Sequence, residues 1–305
     1  MALRLFSEPR LENPVMFVSW PGIGNIGLVA TDTLRVQLAA EKFGEIEPWD
    51  FFYPKHIVIR DSILESLEFP ASTFYYKKSP QHDIITFIGE EQPTDGNRPF
   101  AEGKKAYQMA NYVVDVAEKF GCRRLYASGA AVSLSHHVIK PRVWIATGSD
   151  ALNREMTSFD NTILMGKSEG RSEGGGAVTG LNGLILGVAK KRGLEAVCLM
   201  GEIPDYLATA PLPYPRASRS VVELMSKILG IKINFNPLDE MSTQVDDIIN
   251  GIYEKLPSDI RERVDQRKII MQRRLEAITE EEEKWMKDHI DDLFKKEDQH
   301  DERAG

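Results

Sequence analysis

The apolar and polar positions of this chain follow two rhythms in turn. Residues 15–20, Val-Met-Phe-Val-Ser-Trp, form a short apolar run between Pro14 and Pro21, the signature of a buried strand. A glycine turn follows at 21–27, and Leu28, Val29, Leu34 and Leu38 then predict a helix over 28–40. Strands are predicted at 56–60 and 69–78, the second closing at a turn at Pro80, and a strongly apolar strand at 83–90. A loop with Pro93, Asp95, Gly96 and Pro99 leads to a helix over 100–121. Tyr107, Ala110, Val113, Val114 and Ala117 recur there at helical spacing, and Gly121 stands where a left-handed residue ends a helix. Residues 123–132 read as strand and turn, 138–147 as extended, and 161–166 as a short strand. A polar, glycine-rich stretch at 167–180 precedes an apolar helix at 181–193 and a strand at 195–202. Four prolines and two tyrosines make 204–215 a structured loop without helix, and a helix follows at about 217–229.

Strands alternating with helices predict an α/β fold, a three-layer arrangement with helices on both faces of a sheet. Several strands between 56 and 90 have no helix between them, which favours a mixed sheet over a purely parallel one. The expected division is an α/β domain at 1–238 and a charged helical extension with a frayed tail at 239–305. In the extension, Met241, Val245, Ile248 and Ile252 form an apolar stripe that Pro257 and Ser258 break. Val264, Met271, Ile278 and Trp285 recur every seven residues, but Arg267, Arg274, Glu281 and Asp288 occupy the positions of a second seam. A helix docking one narrow stripe fits better than a long coiled coil.

Charge changes the picture mainly by exclusion. The 305 residues carry a net charge of −8, and 241–305, with 18 acidic and 12 basic side chains, hold most of it. An acidic chain argues against general nucleic-acid binding. No apolar run approaches the length of a membrane span, and residues 1–14 show no signal-like apolar core. Two cysteines, Cys122 and Cys198, make no disulfide framework, so a cytoplasmic protein is expected.

The candidate chemistry is sparse. Gly22, Gly24 and Gly27 have the spacing of a dinucleotide loop, in which Gly22 makes the turn, Gly24 admits the pyrophosphate and Gly27 packs the helix. That fingerprint needs an acidic residue ending a clean second strand. Glu45, Glu47 and Asp50 are at hand, but Pro48 interrupts the segment. A backbone-shaping turn is the preferred reading, with Gly22, Gly24, Asn25 and Gly27 kept as a possible ligand loop. The glycines of 167–180 lack the order of a P-loop, and Glu169 and Glu173 would repel phosphate, so a flexible surface loop is expected. His136 and His137, if on a strand, point to opposite faces and share no metal. Ser128, Ser133 and Ser135 lie near them without a nucleophile elbow. No catalytic residue, metal ligand or cofactor is therefore assigned. Tyr206, Pro211, Pro213, Tyr214 and Pro215 form a rigid aromatic loop that is either an interface anchor or packed on its own domain.

Three segments carry a family resemblance. "SWPGIGNIGLVATDTL", "GAVTGLNGLILGVAKKRGLEAVCLMGEIPDY" and "PYPRASRSVVELMSKILGIKI" resemble, in order, the opening turn, the later glycine-led helix with its Gly-Glu strand, and the closing helix of the proteasome assembly chaperone 2 family. The match runs over roughly 10–235, with features of a bacterial or archaeal member. The resemblance implies a phosphorylase/hydrolase-like fold and a non-enzymatic, chaperone-like role. It also implies self-association into a homo-oligomer and a protein client such as a component of a multi-subunit complex. Some proteasome-binding relatives end in a hydrophobic residue, Tyr and any residue. Arg303-Ala304-Gly305 departs from that pattern, so insertion of the tail into a proteasome ring is not expected. The alternative reading is a small-molecule or nucleotide-binding enzyme or sensor using the Gly22–Gly27 loop.

Overall fold

Successive residues of the first long strand enter two different cores in turn, and this fixes the architecture. In the computed structural model, which describes residues 2–95, 101, 103–166 and 177–276, β2 (Val15–Ser19) sends Val15 and Phe17 to one face and Met16 and Val18 to the other. Both faces are buried, so the strand reads as a continuous apolar run. Among the described residues it lies within a nine-stranded sheet, whose other strands are β1 (Leu3–Leu5), β3 (Glu41–Ile46), β6 (Ser72–Lys77), β7 (Ile84–Gly89), β8 (Arg124–Ser133), β9 (Val143–Thr147), β10 (Thr162–Leu164) and β11 (Glu195–Pro204). Two strands stand apart as a hairpin, β4 (His56–Arg60) with β5 (Ile63–Glu68).

The sheet order is β1-β3-β6-β7-β2-β8-β11-β9-β10. β7, β2, β8 and β11 run parallel to one another, whereas β6 and β9 run antiparallel to β7 and β11. The expected mixed sheet is present. Helices α2 (Gly103–Lys119) and α4 (Gly180–Lys191) cover the face of Met16 and Val18. Helices α1 (Ile26–Gln37), α3 (Asp150–Thr157) and α5 (Pro215–Leu229) cover the other, with α6 (Asn236–Glu254) packed on α5 through Leu238, Val245 and Ile249. The three layers expected from the sequence are thus in place, together with helices at the C-terminal end.

One compact unit spans Met1–Leu256 and a second begins at Pro257. The composition change at 239 falls inside α6. The second unit contains α7 (Ser258–Glu276), where Ile269 and Ile270 are exposed. The glycine-rich stretch 167–176, the Gly96–Pro99 loop, and Ile278, Trp285 and Arg303–Gly305 lie outside the described residues.

Periodicity missed four elements. β1 is a three-residue edge strand, too short to show a rhythm, whereas β10 falls within the short strand expected at 161–166. β5 is exposed along its whole length, so it lacks the one-sided pattern of a half-buried strand. α3 is a two-turn helix capped by the Ser149 side chain, which accepts a hydrogen bond from the Leu152 N–H. β3 is also new: Pro48 follows the strand instead of interrupting it.

α1 reaches β8 at unusually short range. A Cβ on Gly27 would lie 2.1 Å from the Ser128 carbonyl oxygen, so only glycine fits. Thr31 and Ser128 share a buried hydroxyl–hydroxyl hydrogen bond of 2.7 Å one turn further on. Gly22 differs: its φ of −163° is ordinary extended backbone, and open space surrounds the place of a Cβ. Gly27→Ala is expected to lower stability by about 1–3 kcal/mol through overpacking, whereas Gly22→Ala stays within about 0.5 kcal/mol of the native chain. Chemical denaturation of both variants checks the contrast.

Candidate functional site

The glycine turn leads from β2 to the carboxyl edge of the parallel strands, where open α/β sheets place their ligands. Four sequence candidates meet different fates there. Gly24 has φ of +59°, and a Cβ on it would meet the Tyr214 Cβ at 3.0 Å and the Ile203 Cδ1 at 3.2 Å. The Tyr214 N–H also donates to the Gly24 carbonyl at 2.8 Å. The side of Gly24 that a pyrophosphate would approach is thus filled by the chain itself. Asn25 is left-handed, with φ of 48°, and makes no side-chain cap for α1. Gly27 is closed against β8. Gly22 alone of the four lines a cleft.

The dinucleotide pattern also fails at its second strand. β3 lies three places from β2, beyond β7 and β6, so Glu45, Glu47 and Asp50 do not follow a strand beside the turn. The spacing of the glycines reports helix-to-sheet packing.

The cleft at Gly22 has a volume of about 180 Å³ and is walled by Gln92, Gly129, Trp144, Asn182 and Met200 among others. Gln92 ties three segments together. Its amide donates to the Pro21 carbonyl at 2.5 Å, and its Oε1 accepts from the Ala101 and Leu181 N–H groups at 3.1 and 3.0 Å, capping the start of α4. The Asn182 Oδ1 is buried and has no hydrogen-bond partner among the described residues. Among the described lining residues there is no acid, base or thiol. A wider groove of about 440 Å³ lies between α5, α6 and the segment before β9. Its charges pair with one another, Arg216 with Asp246 at 2.7 Å and Arg219 with Asp239 at 2.6 Å.

Glu202, the acidic residue of the Gly-Glu pair at the end of β11, is the buried hub of this edge. It accepts from the Arg142 guanidinium at 2.8 Å, the Ser133 hydroxyl at 2.9 Å and the Trp144 indole at 3.3 Å. Burial pushes its carboxyl up. The Arg142 guanidinium and the Ser133 hydroxyl outweigh burial and hold it below its ordinary value. The ion pair joins β11 to the start of β9, and the Ser133 hydroxyl adds the end of β8, across the segment where the chain reverses. A carboxylate this deep is paired for stability of the edge, and sequence reasoning recorded it only as part of a motif.

The histidines need a correction. His136 and His137 lie in the turn after β8, not on a strand, and their rings stack with centroids 4.3 Å apart. A turn frees neighbouring side chains from strand alternation. His137 hydrogen bonds through Nδ1 to the Tyr206 hydroxyl at 2.8 Å, and Tyr253 of α6 lies against both rings. Ser128 is fully buried at the α1 contact and Ser133 serves Glu202, so neither is a presented nucleophile. Tyr214 is buried and Tyr206 half-buried, so the proline-tyrosine loop packs on its own domain. Cys122 and Cys198 are both free, and burial pushes each thiol up to about 12. Among the described residues no group of three or more metal-binding side chains converges, and no helix is long and apolar enough to cross a membrane.

Exposed apolar surface gathers at the same edge. Ile46 of β3 and Ser72 of β6, which pairs with Gly89 at the end of β7, both lie at the carboxyl edge. The segment between them, with its β4–β5 hairpin, therefore springs from that edge. Trp49 and Tyr53 stand out at its base, 66% and 89% exposed. Val132, Leu134 and Val138 are exposed where β8 ends.

A helix–sheet–helix sandwich with this glycine turn and this Gly-Glu strand defines a class, and the chain belongs to it: the PAC2 family, whose model matches residues 16–252. The resemblance read from the sequence holds. Among solved structures, Pyrococcus furiosus PbaB, described as an archaeal proteasome activator, is 27% identical with a TM-score of 0.67, covering 82% of this chain and 97% of its own. PbaA of the same organism, described as an archaeal homolog of proteasome-assembly chaperone, shares the fold at 21% identity and a TM-score of 0.61, over 88% of this chain and 99% of its own. An uncharacterized protein of Methanocaldococcus jannaschii, MJ1210, is 29% identical over 245 residues, 80% of this chain and 84% of that protein.

The Glu202 hub gives a test with a definite sign. A carboxyl depressed on folding contributes stability above its ordinary value of 4.5 and loses it as pH falls through the lower folded value. Glu202→Gln is expected to cost roughly 1.5–3 kcal/mol near neutral pH. The gap between native and variant melting temperatures is expected to close as pH drops below 4.5, and calorimetry across pH reads it.

Proposed function

We propose that this chain is a non-enzymatic, protein-binding member of its family, working in the cytoplasm as a homo-oligomer that assists assembly of a multi-subunit complex. The observation that carries this reading is the character of the carboxyl edge. Its exposed surface is aliphatic and aromatic, while the cleft beside it carries no acid–base group among its described lining residues. Turnover needs a positioned nucleophile, acid or base; binding a protein needs exposed apolar anchors within a polar surround. The descriptions of PbaB as a proteasome activator and PbaA as a chaperone homolog support a client of the same class, a subunit of a multi-subunit complex. Trp49 and Tyr53 are the residue types that dominate interface energetics, and we assign them the client contact.

A second reading has one observation in its favour. The unpartnered Asn182 Oδ1 beside the Gly22 cleft would suit a small molecule bearing a hydrogen-bond donor.

Purification of the tagged chain from its host, followed by mass spectrometry, tests the two. Subunits of one complex are expected to co-purify in fixed ratio. Trp49→Ala with Tyr53→Ala is expected to lower their recovery at least tenfold without changing the melting temperature. A bound nucleotide or metabolite without a protein partner, together with a rise in melting temperature on adding it, overturns the chaperone reading in favour of the sensor.

A further inference from the structure

The β4–β5 hairpin is amphipathic, and among the described residues nothing covers its apolar face. Its register pairs Ile57 with Leu67 and Ile59 with Leu64, and a shift after Val58 leaves Glu65 as the extra residue. Directly paired residues share a face, so the bulge brings four aliphatic side chains together where a regular ladder would have split them. These four and Ile63 are 38–70% exposed. An isolated two-stranded hairpin is marginal in water, and a bare aliphatic face makes it more so.

The outer edges of the main sheet follow the opposite rule. They are closed by β1 and β10, strands of only three residues, which offer little for another chain to pair with. The hairpin keeps strands of five and six residues with open edges. Four of its titratable side chains pair within it: His56 meets Glu68 at 2.7 Å and Arg60 meets Glu65 at 3.3 Å.

The matching surface is on the same molecule. Val132, Leu134 and Val138 form an aliphatic rim at the end of β8, 43–69% exposed. The hairpin is rooted at β6 and the rim at β8, three strand spacings apart, about 14 Å. Both project from the carboxyl edge, and their exposure shows that neither covers the other. We infer that the hairpin of one copy seats its Ile57–Leu67 face on the Val132–Val138 rim of a second copy of this chain. In a pair the contact is reciprocal, and in a larger ring it passes from copy to copy. Every protomer then contributes both patches. In a reciprocal pair the four aliphatic side chains of the hairpin face and the three of the rim on each protomer supply area on the order of the ~800 Å² that each partner of a stable interface buries. A client meeting the hairpin alone would leave the rim bare, which favours the second copy as occupant. The inference rests on the homo-oligomeric part of the proposed function and leaves Trp49 and Tyr53 to the client.

Light scattering on the full chain at micromolar concentration tests it. The native protein is expected to show a whole multiple of 34.4 kDa. Leu64→Asp in the hairpin and Leu134→Asp in the rim are each expected to reduce the mass to that of one chain, with the melting profile of a folded protein. A Leu64→Cys, Leu134→Cys variant, mixed from light and heavy isotope-labelled copies, is expected to form 64–134 cross-links joining light to heavy chains. A monomeric native protein, an oligomer whose mass neither Asp variant changes, or cross-links within single chains only would overturn the inference. Client recovery separates this outcome from the broader reading. A client captured by a monomeric native protein defeats the hairpin contact and leaves the chaperone role standing. An oligomer dissolved by Leu64→Asp that captures no client does the reverse.

Discussion

The approach of α1 to β8 is the constraint on which the rest of this structure depends. A helix normally rides on a sheet with a layer of side chains between. Here Gly27 removes that layer at one point, and the helix backbone comes within reach of the Ser128 carbonyl. Bringing α1 so close forces the chain leaving β2 to turn in very little space. Two successive left-handed residues, Gly24 and Asn25, make that turn. Tyr214 then closes over it, anchored to the Gly24 carbonyl and leading directly into α5. Three features that look separate in the sequence, a glycine turn, a buried seryl strand and a proline-tyrosine loop, are parts of one packing solution.

This explains why a nucleotide fingerprint and a packing turn look alike in sequence. Both need a strand to pass tightly into a helix, and both need glycine where backbone meets backbone. They differ in what lies above the middle glycine, phosphate or protein, and that residue is nearly two hundred positions away. No local motif reports it. The second half of the fingerprint was the better guide, because the absence of a neighbouring acidic strand follows from the sheet order.

Elements buried on both faces were legible for the same reason that they are stable. Val15–Ser19, Ile84–Gly89 and the Val113–Ala117 stripe carry strong apolar patterns because each contacts two layers or one deep seam. What escaped was structure held by pairing at the margin: β1, β5 and the short capped helix α3. The site followed the same division. The family signature drew attention to Gly201-Glu202, but only the fold shows Arg142, Ser133 and Trp144 converging on that carboxylate from two other strands. The His136–His137 pair was weighed only for the case of a strand, and the turn in which they lie stacks their rings instead.

The Glu202 hub and the exposed edge are linked by geometry. β9 runs back along β11, so the chain must reverse at the carboxyl edge between residues 133 and 143. A buried ion pair fixes that reversal from within, and an ionised carboxylate is tolerated there only because its acceptor positions are filled. With the inner side of the segment committed to Glu202, Tyr206 and His137, its outer side is free of structural duty. Leu134 and Val138 are aliphatic in that freedom, which solubility alone would not favour. The hairpin is built alike: its polar face closes ion pairs within the chain, and its apolar face contributes nothing to its own fold. Two segments of one edge thus satisfy their polar groups inward and leave aliphatic groups outward, the pattern that large exposed apolar patches on interaction surfaces share.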